Sequence, residues 1–105
     1  MEQTIIISDI PVTIYRLNHD CDTYGSESNV NFTVHDESND NVKYLFASYD
    51  SNAEADAVYN YIINNPDEFY LEKYCNYGLD GKYYECWFDS LNAKDYQGMM
   101  SKIRS

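Results

Sequence analysis

The pair Asp80-Gly81 lies between two stretches rich in aromatic residues, 69–79 and 82–90. Aspartate followed by glycine is the dipeptide best suited to a two-residue type I′ turn, because both central residues of that turn have positive φ. The two stretches are therefore predicted to form a β-hairpin in which the numbers of opposite residues sum to 161. This register places Tyr74 opposite Trp87, Cys75 opposite Cys86, and Tyr77 opposite Tyr84. Cross-strand pairs of such side chains each contribute roughly 0.2 to 1 kcal/mol.

The first half of the chain predicts further strands. Residues 12–17 alternate apolar and polar side chains, and together with residues 4–7 they predict N-terminal strands. Residues 29–35 place their apolar side chains on one face, and residues 42–49 follow after the turn-rich stretch 36–41, which predicts a second hairpin. Residues 18–29 are polar and contain Gly25, which predicts a long, exposed, acidic loop.

Ser51 and Glu54 mark the start of a predicted helix. In a capping box of this spacing the serine hydroxyl accepts from the third helical N–H, and the glutamate side chain reaches back to the N-cap. Apolar residues follow at helical spacing until Pro66 ends the helix, namely Ala55, Val58, Tyr59, Ile62 and Ile63. A second helix is predicted over residues 92–104, with Asp95 early and basic residues late, as the helix dipole favours.

Together these elements predict a single domain over residues 1–105 of the α+β class. It has a mainly antiparallel sheet of about five strands, built from hairpins, with two helices packed on it. No stretch approaches the ~20 apolar residues that a membrane span needs. The odd number of three cysteines favours a reducing compartment over a disulfide framework. We therefore expect a cytoplasmic protein.

Acidic and basic residues are segregated along the chain. The sequence has 18 Asp and Glu against seven Lys and Arg, a formal net charge of −11. Residues 17–72 hold twelve of the acids and one base, Lys43, so this segment alone carries the whole net charge. Such a charge disfavours direct binding to nucleic acid or to an anionic membrane, and serves either solubility or a positively charged partner. Duplex DNA carries one negative charge per ~1.7 Å, so eleven charges match roughly 19 Å of duplex.

In size, acidity and small α+β build, the sequence resembles the phage-encoded DNA-mimic inhibitors, which include anti-CRISPR and anti-restriction proteins. The resemblance covers composition over the whole chain, rests on no motif and transfers no site residue. It implies a non-enzymatic inhibitor in the cytoplasm of a bacterial host cell. Such an inhibitor occupies the basic nucleic-acid groove of a defence nuclease, such as a CRISPR effector or a restriction nuclease.

The predicted contacts with such a partner are acids without a local structural role and the tyrosines beside them. The acids of the predicted loop are Asp20, Asp22 and Glu27, and those of the hairpin tip are Asp36, Glu37 and Asp40. Tyr24 in the loop and Tyr49 are expected to be exposed, and Asp50 beside Tyr49 is the ninth predicted contact. Tyrosine offers flat contact area together with a hydroxyl, and the chain has twelve.

A second hypothesis is a non-inhibitory interaction domain, such as an immunity or adaptor protein, whose acidity serves solubility. Its binding would centre on the aromatic hairpin, because Trp and Tyr dominate binding hot spots. The residues concerned are Tyr74, Tyr83 and Trp87. No cofactor, metal site or catalysis is expected. Asp20, Asp22 and Gly25 lack two further ligands of a calcium loop, and the Cys and His residues form no zinc-site spacing.

Overall fold

We describe the chain from a computed structural model. It describes the backbone of residues 1–21, 25–34, 43–77, 79 and 83–105, and the side chains of residues 1–18, 28–34, 43–73, 79 and 90–105. The described elements belong to the α+β class, as predicted. In the described part of the chain six strands form two antiparallel sheets, where the sequence predicted one mainly antiparallel sheet of about five strands.

Four strands form the first sheet in the order in which they occur along the chain. They are β1 (Glu2–Ile7), β2 (Ile10–Cys21), β3 (Gly25–Val34) and β4 (Tyr44–Tyr49). The predicted strands at 4–7, 12–17, 29–35 and 42–49 are confirmed as far as the structure describes them, since residues 35 and 42 lie outside the described residues and β4 begins at Tyr44. The predicted long loop over residues 18–29 is wrong, because β2 and β3 continue to pair as far as Cys21 opposite Gly25.

The turn between β1 and β2 consists of Ser8 and Asp9, which both have positive φ, 53° and 64°. Ile7 and Ile10 pair directly on either side of it, so the connection is a two-residue hairpin loop. Two positive φ values in succession are typical of a type I′ turn, in which aspartate is one of the better tolerated residues after glycine and asparagine. This turn therefore holds the carboxylate of Asp9 at one end of the sheet.

The first helix, α1 (Asn52–Asn64), begins where the sequence predicts. The Ser51 hydroxyl accepts a hydrogen bond from the Glu54 N–H at 3.1 Å, which is the first half of the predicted capping box. The Glu54 carboxylate, however, accepts from Arg104 at 2.8 Å, which joins the start of α1 to the end of the second helix. A 3-10 turn, Pro66–Glu68, follows α1 directly.

The second helix, α2 (Tyr96–Arg104), is shorter than the predicted span of 92–104 because the preceding strand continues to Ala93. Asp95 is its N-cap and accepts from the Gly98 N–H at 2.9 Å. Met99 and Met100 are buried against the core, and Lys102 and Arg104 lie in the last turn, where cations interact favourably with the helix dipole.

The second sheet is the predicted hairpin, β5 (Phe69–Tyr77) with β6 (Tyr83–Ala93). Its register pairs Tyr74 with Trp87 and Cys75 with Cys86, as predicted, but pairs Tyr77 with Tyr83 rather than Tyr84. The difference arises from an irregularity of the ladder between Asn76 and Tyr77, and a second irregularity lies between Glu72 and Lys73. Each irregularity leaves one β6 residue without an opposite partner, as a β-bulge does.

The core lies between one face of the first sheet and a layer formed by α1, α2 and the base of the β5–β6 hairpin. On the central strands the buried apolar pairs are Val12 with Val34 and Ile14 with Phe32. Helix α1 covers them with Ala55, Val58, Tyr59 and Ile62. Phe69 joins the second sheet to this core through edge-on contacts with Phe46, at 6.0 Å between ring centroids, and with Tyr61, at 6.4 Å.

The molecule is more elongated than its length alone suggests. Its radius of gyration is 15.3 Å, whereas a spherical domain of this size has a radius of gyration of about 13 Å. The principal extents are 49, 34 and 23 Å. A long axis of 49 Å gives a small protein an extended surface for a partner.

Candidate partner-binding surface

The structure describes two of the nine predicted principal contacts at the level of side chains, Tyr49 and Asp50. Asp50 is exposed. The expected exposure of Tyr49 is wrong, because only 8% of its surface is accessible. Tyr49 pairs with Ser28, which is also buried, so its side chain lies on the core face of the sheet.

The hydroxyl of Tyr49 lies 2.8 Å from the hydroxyl of Tyr96 on α2. Burial, followed by the hydrogen bond with Tyr96, raises the pKa of Tyr49 far above its ordinary value of 10.0. Glu54 adds to this shift through its negative charge, and Arg104 opposes it. Tyr49 therefore has a structural role, in which its neutral hydroxyl holds α2 to the sheet.

The other predicted contacts lie wholly or partly outside the described residues. For Asp20 and Glu27 the backbone alone is described, and it places them opposite Ser26 and His19, near the far end of the β2–β3 hairpin. Tyr74, Tyr83 and Trp87 are likewise placed by register alone, opposite Trp87, Tyr77 and Tyr74. Neither backbone nor side chain is described for Asp22, Tyr24, Asp36, Glu37 and Asp40.

The predicted acidic contacts fall into two groups along the chain, on either side of β3. One group flanks Gly25, the first residue of β3, and the other follows Val34, its last residue. Ten residues of β-strand separate these ends by about 30 Å. Asp50 follows Tyr49, which pairs with Ser28, so Asp50 belongs to the end at Gly25. Asp9 lies at the opposite end of the sheet. Its turn directly precedes the part of β2 in which Val12 pairs with Val34, the last residue of β3.

Three ion pairs occur among the described side chains, and each joins an acid of residues 17–72 to a base outside that segment. Arg104 contacts Glu54 at 2.8 Å, and Lys102 lies 3.9 Å from Glu68. The third pair, at 2.8 Å, joins Arg16 to Asp56. The charges that are segregated along the sequence are therefore partly compensated in space, mainly along α1.

Arg16 is the centre of a buried polar network. Its side chain is 5% exposed and lies on the core face of β2, opposite Val30. Besides the ion pair, its guanidinium donates to the Asn52 side chain at 2.8 Å, to the Asn18 side chain at 2.8 Å and to the Leu17 carbonyl at 2.7 Å. Asn52 also accepts from the Ser28 hydroxyl at 2.7 Å. The network fixes the start of α1 against β2 and β3.

The role of Arg16 was missed by the sequence interpretation, although the pattern contains a signal for it. Alternation along β2 puts Arg16 on the same face as Val12 and Ile14. A charged side chain on a buried face must be paired, because an isolated buried charge is strongly disfavoured. The alternation therefore predicts an acidic partner for Arg16 elsewhere in the chain.

Three exposed acids of residues 17–72 take no part in these ion pairs. Within the part of the chain that the structure describes, Asp50, Asp67 and Glu72 make no ion pair. Their carboxylates are accessible to a partner.

A depression of about 420 Å³ lies at the end of the sheet that carries the Ser8–Asp9 turn. Its lining includes Asp9 and Asp67 together with the exposed Ile6 and Tyr70, and Lys94 adds one positive charge. A second concave surface, of about 580 Å³, runs along α2 beside Tyr96 and Arg104. Neither contains a catalytic combination of side chains.

Among the side chains that the structure describes, no three His, Cys, Asp or Glu residues are placed to hold a metal ion together. Within the same part of the chain, neither helix has the length and apolar character required to cross a membrane. Searches against protein-family models, curated proteins and solved structures find no match to this chain.

Proposed function

We propose that this protein is an acidic inhibitor that binds the basic nucleic-acid-binding surface of another protein and excludes nucleic acid from it. The partner class is a defence nuclease of a bacterial cytoplasm, a CRISPR effector or a restriction nuclease. The observation that carries the proposal is the division of charge. Residues 17–72 carry a net charge of −11, and the charges of the rest of the chain sum to zero.

This division supports a binding role because exposed acids of the segment that the structure describes, Asp50, Asp67 and Glu72, make no ion pair within the described residues. Glu54, Asp56 and Glu68 are neutralised by bases from outside the acidic segment. Acids without such partners repel one another and weaken the compact state. A partner rich in Lys and Arg relieves that repulsion on binding.

The dimensions of the molecule are compatible with such competition. Eleven charges correspond to roughly 19 Å of duplex, and the long axis of the protein measures 49 Å. The two predicted acidic groups flank a strand about 30 Å long. An inhibitor of this kind performs no chemistry. It associates rapidly through electrostatic attraction, and its affinity falls as salt rises.

The test measures cleavage of a labelled DNA duplex by a CRISPR effector and by a restriction nuclease, at low and at moderate salt, while the protein is added. Fluorescence anisotropy of the same duplex reports its displacement. We expect inhibition that weakens as salt rises. The proposal is overturned if the protein displaces duplex from neither nuclease at low salt.

Two variants that each remove two charges locate the surface. The test variant is Asp36→Asn with Asp40→Asn, and the matched control is Glu2→Gln with Glu72→Gln, in which the side chains are exposed and are not among the predicted contacts. We expect the test variant to inhibit more weakly and the control to inhibit like the wild type. Equal weakening of both variants would mean that net charge, not the hairpin tip, governs binding.

A second candidate function is an interaction domain that binds through the aromatic hairpin. The backbone register favours this second function, because it pairs Tyr74 with Trp87 as the sequence predicted. Binding of this kind depends on apolar contact and tolerates high salt. Replacement of Trp87 by Ala would abolish such binding, whereas Asp36→Asn with Asp40→Asn would leave it unchanged.

A further inference from the structure

Cys75 and Cys86 occupy directly opposite positions on β5 and β6. They belong to a regular ladder of four residue pairs that runs from Lys73 opposite Phe88 to Asn76 opposite Glu85. The register shifts on both sides of this ladder. The cysteine pair therefore lies inside a short, regular section of hairpin between two irregularities.

Opposite positions on antiparallel strands suit a disulfide. Their Cα atoms are separated by about 4.5 to 5.5 Å, depending on the type of pair. The Cα atoms of disulfide-bonded cysteines are usually about 4.4 to 6.8 Å apart. A bond between Cys75 and Cys86 thus needs no change of the backbone register. The third cysteine, Cys21, lies on β2 in the other sheet, opposite Gly25, and serves as an internal control.

We propose that Cys75 and Cys86 form a thiol–disulfide switch in the β5–β6 hairpin, independent of the proposed inhibitory function. The co-reactant is a small disulfide such as oxidised glutathione. One cysteine thiolate attacks it, forming a mixed disulfide and releasing one glutathione thiolate. The second cysteine thiolate then attacks the protein-side sulfur and releases the second glutathione. Two protein thiols are oxidised, and one glutathione disulfide is reduced to two glutathione thiols.

Closing this bond restricts the unfolded chain and fixes the hairpin register. The bond closes a ring that contains the residues from Cys75 to Cys86. Because a loop of about twelve residues loses entropy in the unfolded chain, the folding equilibrium constant shifts toward the folded state roughly a hundredfold. The neighbouring pair, Tyr74 with Trp87, lies inside the section that the bond would hold in register. In a reducing cytoplasm the pair remains as thiols, and oxidation closes it.

The test treats the full-length folded protein with oxidised glutathione, then measures its intact mass and maps its peptides. Four chains are compared: wild type, Cys21→Ser, Cys75→Ser and Cys86→Ser. We expect wild type and Cys21→Ser to lose two hydrogen atoms and to yield a peptide in which Cys75 is bonded to Cys86. Cys75→Ser and Cys86→Ser should retain either a free thiol or a glutathione adduct at the remaining hairpin cysteine.

The proposed switch is contradicted if the wild-type peptide map shows separate glutathione adducts on Cys75 and Cys86, a bridge to Cys21, or no reaction at either hairpin cysteine. This map decides the question even if a serine variant fails to fold.

Thermal unfolding provides a second measurement. Oxidation should raise the Tm of the wild type by on the order of 10 °C, reversibly with dithiothreitol, and leave that of Cys86→Ser unchanged. An unchanged wild-type Tm would contradict the stabilising role of the bond.

Discussion

Arg16 on β2 and Asp56 on α1 lie forty positions apart in the sequence and form an ion pair at 2.8 Å. The arginine side chain is 5% exposed and the aspartate side chain is 48% exposed. The pair is therefore asymmetric. Asp56 can be hydrated if its partner is lost, whereas Arg16 depends on the protein for its hydrogen bonds.

Replacement of Arg16 by Met should destabilise the fold by about 2 to 4 kcal/mol, because it removes the buried guanidinium that donates to the Asn18 and Asn52 side chains and to Asp56. Asp56→Asn is the comparison. It should cost about 1 kcal/mol, because Arg16 keeps its other acceptors. Urea unfolding measures both values. Equal losses in the two variants would contradict the asymmetry.

The stability of the fold should decline above pH 10. The pKa of Tyr49 is raised in the folded state by burial and by its hydrogen bond with Tyr96, and burial also raises the pKa of Tyr59. In the unfolded chain these hydroxyls ionise near their ordinary value of 10.0. Their contribution is thus complete below pH 10 and is lost as the pH rises further, because the unfolded state releases protons first.

The measurement is the urea midpoint as a function of pH for the wild type and for Tyr49→Phe. The variant cannot ionise at position 49, so its midpoint should fall less steeply above pH 10. Tyr70→Phe, at an exposed tyrosine of β5, is the control. A Tyr49→Phe profile parallel to that of the wild type would show that another group governs alkaline unfolding.

Gly98 and Asp95 should show coupled effects on stability. A Cβ atom at position 98 would clash with an oxygen of the Asp95 carboxylate, which caps α2. Alanine is otherwise favoured over glycine in a helix by up to about 1 kcal/mol, but here it displaces a cap whose loss costs about 1 kcal/mol. Gly98→Ala alone should therefore change stability little.

Once the cap is absent, that conflict disappears. In an Asp95→Ala background, Gly98→Ala should stabilise the protein by up to about 1 kcal/mol. A double-mutant cycle measured by urea unfolding gives the coupling between the two sites. Additive effects would mean that the Asp95 side chain moves aside at no cost.

Ile62 and Ile6 provide a comparison between buried and exposed isoleucine. Ile62 on α1 is fully buried, and Ile6 on β1 is 56% exposed. Ile62→Ala should destabilise the fold by about 2 to 5 kcal/mol through the cavity it leaves, while Ile6→Ala should cost less than about 1 kcal/mol. Chemical denaturation measures the loss of stability in each variant. Similar losses at both positions would contradict the placement of the core.

The sequence predicted the bounds of α1 and the β5–β6 hairpin from local signals. The Ser51 cap and Pro66 determine where α1 begins and ends, and the Asp80-Gly81 pair predicts a hairpin whose strands pair in the expected register at Tyr74 and Cys75. These features depend on a few neighbouring residues, so they are accessible from sequence alone.

Other features depend on long-range packing, which local patterns do not contain. Residues 18–21 are polar but continue β2, because backbone pairing with β3 requires no apolar side chains. The bulge that moves Tyr83 opposite Tyr77 leaves no mark on the alternation. The burial of Tyr49 depends on Tyr96, which is 47 positions away and belongs to α2.

Every described strand pairs with a neighbour in sequence, from β1 through β4 and from β5 to β6. Each pairing therefore closes a short loop, which costs little chain entropy. Proteins whose contacts are local in sequence fold faster than those that must first bring distant strands together. The contacts between distant parts of the chain are made by α1 with β2 and β3, and by β5 and β6 with the first sheet. The topology thus favours rapid formation of the hairpins, with helix docking and the Arg16–Asp56 pair completing the fold.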